Sequence, residues 1–206
     1  HMKKTLLIFI STLTIISCKS SDPNKNIDEG KVEGNTYTSQ EIGWTIAIPD
    51  GWEVVDREKS EDMREKGTQA LEETIDQEVD FSGVKTLIAF QKNQFNIFQS
   101  TSEPFKLEYE GEWEINNAAI KALIFETFVN QGIKADSSAT SVETIDGLDF
   151  QTYSFTIYGP TGEVILNQIL YSRLINGFDF AANINYNNEK DKETQLQAFR
   201  NSKFKK

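Results

Sequence analysis

Histidine and cysteine are all but missing from this chain: among 206 residues there is one of each, His1 and Cys18. His1 stands before Met2, reads as a cloning remnant and is set aside. With one thiol no internal disulfide can form, so stability has to come from burial. No His and Cys set for zinc exists, and no Ser/His or Cys/His pair can be assembled for nucleophilic catalysis. Chemistry on this chain is confined to carboxylates, Lys, Arg, Tyr and Ser, and no cofactor is expected. Basic residues are also scarce, 21 against 32 acidic ones, for a formal charge of −11. That balance excludes nucleic acid as a partner, because such binding depends on neutralising phosphates with Lys and Arg. Long apolar runs are lacking too. The longest, residues 5–16, has about a dozen residues, whereas a spanning helix takes roughly 20.

That short run carries a specific pattern. Lys3 and Lys4 precede it and Ser17 supplies a small residue at its end, which is the three-part form of a secretory signal. Ile15, Ile16, Ser17 and Cys18 resemble the lipobox of bacterial lipoproteins. The resemblance implies cleavage after Ser17, lipidation of Cys18 and attachment to the membrane of the cell envelope through that anchor. Several acyl chains on one residue hold a domain firmly, each buried methylene adding ~0.8 kcal/mol. Lys19 after the cysteine implies, by the same resemblance, sorting to the outer membrane. Residues 1–17 are then signal peptide. Their removal takes the balance to 19 basic and 32 acidic groups, or −13, since only Lys3 and Lys4 are lost.

Residues 18–36 are polar and rich in Ser, Asn, Asp and Gly, which predicts a lipidated cysteine followed by a flexible tether. Residues 37–206 are expected to form one domain. Alternation at Trp44, Ile46 and Ile48 predicts a strand, and Pro49, Asp50 and Gly51 a turn. Residues 56–80 are charged and helix-prone, with Ser60 as a cap and a narrow apolar stripe through Met63 and Leu71. Residues 84–90 and 94–99 read as a hairpin, 100–114 as a loop, and 118–130 as a helix ending at Gly132. From Ser141 onward Asp146-Gly147 and Asn176-Gly177 mark hairpin turns in a four-stranded meander. Its last strand alternates Phe178, Phe180, Ala182, Ile184 and Tyr186 with Asp179, Asn183 and Asn185, giving one dry and one wet face. A short helix over 191–201 closes the chain.

Gly43-Trp44, the Pro49-Asp50-Gly51-Trp52 turn, Ile145-Asp146-Gly147 and the terminal Phe199-Arg200-Asn201-Ser202-Lys203-Phe204 stand in an order that resembles the PsbP and Mog1-like superfamily over residues 40–204. The resemblance implies an α+β fold: an α/β/α sandwich with a twisted antiparallel sheet of about six to seven strands flanked by helices. Members of the superfamily look like accessory or binding proteins, and no shared catalytic set can be carried onto this chain.

The most unusual surface stretch is the loop bearing Glu103, Glu108, Glu110, Glu112 and Glu114 among Phe105, Tyr109 and Trp113. It is expected to serve an unknown protein partner as an acidic and aromatic patch, or to gather Ca²⁺ through carboxylate oxygens. The first functional reading is therefore a non-enzymatic binding or assembly module. The alternative is a carboxylate-based hydrolase or glycan-binding protein of the envelope, with Glu110 and Glu112 as acid and base and Trp44, Trp52 and Trp113 as sugar platforms.

Overall fold

The computed structural model describes residues 22–78 and 80–205. Cys18, Ser17 and the signal segment lie outside the described residues. Among those described, the strands form a four-stranded sheet, in the order β1-β2-β3-β12, and an eight-stranded one. The small sheet is built from β1 (Lys31–Glu33), β2 (Thr36–Thr38), β3 (Trp44–Ala47) and β12 (Lys203–Phe204). The large sheet begins with β4 (Glu53–Val54), β5 (Lys85–Gln91) and β6 (Ile97–Pro104). It is completed by β7 (Ala135–Ser137), β8 (Ser141–Ile145), β9 (Leu148–Tyr158), β10 (Val164–Ile175) and β11 (Phe178–Tyr186). Its order is β4-β5-β6-β11-β10-β9-β7, with β8 also paired to β9. The helices are α1 (Arg57–Ile75), α2 (Glu112–Asn130) and α3 (Glu189–Arg200). The architecture is the α+β sandwich expected, with more strands than six or seven. The additional ones, β4 and β7 among them, are two or three residues long and too short to show alternation.

The meander forms where the turn chemistry places it. Asp146-Gly147 and Asn176-Gly177 adopt positive φ at both positions (51° and 80°, 53° and 81°), the geometry of a two-residue turn matched to strand twist. The dry face of the large sheet meets the small sheet and α3 around Trp44. Its indole is fully buried and lies 5.0 Å edge-to-face from Phe180, with Tyr37, Phe98, Phe199 and Phe204 within 5.9–6.3 Å. Trp44 Nε1 donates to Ser202 Oγ at 2.9 Å, so the one polar atom of the ring is satisfied. Glu143 Oε1 and Oε2 accept from Arg200 Nε and Tyr171 Oη, both at 2.7 Å, and tie α3 to β8.

Residues 22–36 are part of this fold and do not form the expected tether, so the domain starts before residue 37. Asp22 caps a 3₁₀ turn at Pro23–Asn26, and Asn24 Oδ1 accepts from Val32 N. Ile27 and Val32 are buried. The charged residues here are structural. Asp28 accepts from Arg57 Nη1 at 2.6 Å and from Thr86 N at 2.8 Å. Glu29 accepts from Ser39 Oγ and from Gln40 N, each at 2.6 Å.

The loop expected over 100–114 is also absent as such. Strand β6 runs through Ser100, Thr101 and Ser102 to Pro104, and α2 begins at Glu112, six residues before the predicted start. The strand is possible because of a bulge. The β5–β6 register shifts between Thr86 and Ala89, and Ser100 Oγ accepts from Ile88 N (3.1 Å) and donates to Ile88 O (2.8 Å). A hydroxyl thereby replaces the ladder bonds that the extra residue loses. Helix α1 starts at Arg57 with Asp56 in the capping position, not at Ser60, and Asp76 ends it in the left-handed region. No helix among the described residues is long and apolar enough to cross a membrane.

Trp44→Ala removes the shared contact of both sheets and α3, together with the indole N–H bond to Ser202 Oγ. It is expected to lower unfolding free energy by about 3–5 kcal/mol, read as a shift in the urea midpoint.

Candidate functional site

The second face of the large sheet is polar in its middle. Gln99, Thr101 and Glu103 of β6 pair with Asn183, Ala181 and Asp179 of β11, and Gln168 and Ser172 extend the row onto β10. Helices α1 and α2 touch each other over this face, but their apolar anchors lie at its flanks. Met63 of α1 packs on Val55, Ala89 and Ile97 at one side. At the other, Phe125 and Phe128 of α2 pack on Phe155 of β9 at 6.5 and 5.7 Å. Beneath the helices is a cavity of about 630 Å³ whose floor is this row, with Leu170 among it, and whose walls include Met63, Leu71, Phe81 and Ile120. That volume falls in the range of small-molecule sites. The wet face predicted for β11 is thus the floor of a partly covered chamber, with Asp179, Ala181 and Asn183 half-buried.

One end of the chamber is acidic. Glu103 and Asp179 are direct cross-strand partners. Trp113, buried at the first turn of α2, donates its Nε1 proton to Asp179 Oδ1 at 2.9 Å. Burial pushes the Asp179 carboxyl up to about 6, against the Trp113 bond, and the Glu103 charge adds to the rise. Burial raises Glu103 as well. The Tyr153 phenol beside them is pushed up to about 12 by burial and by the Asp179 charge. Three further polar atoms of the lining, Asn183 Oδ1, Ser60 Oγ and Ser102 Oγ, are buried with no hydrogen-bond partner among the described residues.

The predicted loop residues divide. Glu103 and Trp113 belong to the cavity end, Trp113 through its bond to Asp179. Glu108, Tyr109, Glu110 and Glu114 are exposed, and Glu112 accepts from Glu108 N at 2.6 Å at the start of α2. Carboxylates in that first turn suit the positive end of the helix. Among the described residues no three acidic side chains gather into a cation cluster, so the Ca²⁺ arrangement is not formed. Glu110 and Glu112 are not in the cavity lining. Trp44, Trp52 and Trp113 are all buried, which removes them as sugar platforms. Asp179, Asn183 and Gln99 were not singled out as site residues from the sequence; the alternation of β11 was the signal that could have found the first two.

No protein-family model matches the chain, and no curated protein matches it. The solution structure of cyanobacterial PsbP (CyanoP) from Synechocystis sp. PCC 6803 is similar, with a TM-score of 0.54 and 12% identity over 86% of this chain and 98% of that one. At that identity the likeness shows the fold alone, and the fold is PsbP-like.

Because the native Asp179 pKa lies above its ordinary value of 3.8, the folded state holds a proton that the unfolded chain has lost between about pH 4 and 6. Its contribution to stability is full below that window and disappears as pH rises through it. Asp179→Asn keeps an acceptor for Trp113 and is expected to stabilise the protein at pH 8 by about 1–2 kcal/mol, discounted for partial exposure, with little effect at pH 4. Urea titrations at both pH values measure this.

Proposed function

We propose that this protein is a lipid-anchored, non-enzymatic binding module of the cell envelope, and that its binding site is the cavity between α1, α2 and the large sheet. The carrying observation is that chamber of about 630 Å³, with apolar walls and an ordered polar floor. Pockets of that size and mixed lining are what small-molecule recognition uses. The carboxyl pair lies side by side on one floor, whereas glycosidic displacement needs carboxyls on opposite sides of the scissile bond, and this favours binding over hydrolysis. Exposed Leu107 and Tyr109, flanked by Glu108 and Glu110, supply an additional acidic and aromatic surface for a protein partner. Attachment rests on the lipobox-like Ile15-Ile16-Ser17-Cys18, and the Lys19 that follows favours the outer membrane.

Native protein is expected to bind the neutral dye N-phenyl-naphthylamine at one site, seen as enhanced dye fluorescence. Ala181→Phe, which fills the floor between Thr101 and Ser172, is expected to abolish the enhancement while thermal unfolding stays unchanged. Dye binding that survives the substitution would place the ligand elsewhere. In cells, Cys18→Ala is expected to move the protein from the membrane fraction to the soluble fraction and to stop labelling by a clickable palmitate analogue.

A further inference from the structure

The floor pairs from Asp179 opposite Glu103 to Asn185 opposite Ile97 are six residues apart along β11. At ~3.4 Å per residue the chamber is about 20 Å long. Its charge is confined to one end. Neither Glu103 nor Asp179 forms an ion pair with any Lys or Arg among the described residues. Arg64, the one cation of the lining, is exposed at the α1 rim and acts on Asp28. Lys121 on α2 reaches the Tyr153 ring, but its ammonium is bonded to Ser138 O at 2.6 Å and Thr140 Oγ1 at 3.1 Å.

We infer that the cavity binds an elongated amine, with its ammonium group seated between Glu103 and Asp179 and an apolar body lying along the chamber toward Ile97. Two observations converge on this class. The two carboxylates are partly desolvated and lack a protein cation, so a ligand ammonium supplies the missing counter-charge. The walls of the chamber are aliphatic, through Met63, Leu71 and Ile120. A phosphoethanolamine headgroup would bring a phosphate against the same two carboxylates, so the free amine is the form that fits.

This inference rests on the cavity being the binding site, and its test separates the two. With N-phenyl-naphthylamine bound, octylammonium, octanol, octanoate and dihexanoylphosphatidylethanolamine are titrated as competitors. Octylammonium is expected to displace the dye at a concentration at least tenfold lower than the other three. Glu103→Gln, at a side chain with no hydrogen bond to lose among the described residues, and the double variant Glu103→Gln with Asp179→Asn are expected to erase that preference and leave octanol competition unchanged. Equal competition by octanol or by the phospholipid in the native protein, or a preference that survives in the double variant, would overturn the ammonium assignment and leave the cavity as a site. Failure of the dye to bind at all would overturn both.

Discussion

The burial of one indole holds the two sheets and the last helix together. Trp44 sits on the small sheet, yet its ring neighbours come from β2, β6, β11, α3 and β12. Burying a tryptophan is favourable only if its N–H finds an acceptor, and that acceptor, Ser202, is placed by the end of α3, where its own hydroxyl donates to Phe199 O at 2.6 Å. The indole N–H is therefore satisfied only when the last helix is formed. The contact joins residues 158 positions apart, which makes the whole domain one cooperative unit.

The opposite face of the sheet follows a different economy of contacts. Its helices pack at the edges, through Met63 in one case and Phe125 and Phe128 in the other, and leave the central strands with amides, hydroxyls and two carboxylates. Enclosing carboxylates without a counter-ion is unfavourable, and the upward displacement of the Asp179 and Glu103 pKa values expresses that cost. The Trp113 hydrogen bond offsets part of it and at the same time fixes the first turn of α2 over the acidic end.

Elements set by neighbours in sequence were legible before the structure, and elements set by distant partners were not. Asp146-Gly147 and Asn176-Gly177 define their turns alone, and Gly132 ends α2 as expected, with Ile133 N donating back to Phe128 O. Residues 22–36 look like a tether because their anchors lie far off: Arg57 is 29 positions from Asp28, and Thr86 is 58. Ser100 to Ser102 look like loop because polarity records a preference for water or hydrogen bonds without saying which will provide them. Here Ser100 serves a bulge and Thr101 a cavity floor. Glu103 was legible as part of an acidic stretch, but its partner Asp179 lies on a strand 76 residues later, and only the β6–β11 register joins them.

Strand β11 serves both faces at once. Phe180, Ala182 and Ile184 hold the buried side, while Asp179, Ala181 and Asn183 line the chamber. Because the two rows alternate on one backbone, a change of ligand preference can proceed by exchanging side chains of the second row without disturbing the aromatic interior. The same alternation limits how far such drift can go. Insertion or deletion of a single residue would swap the rows and destroy both, so the strand can vary in residue identity but not in length.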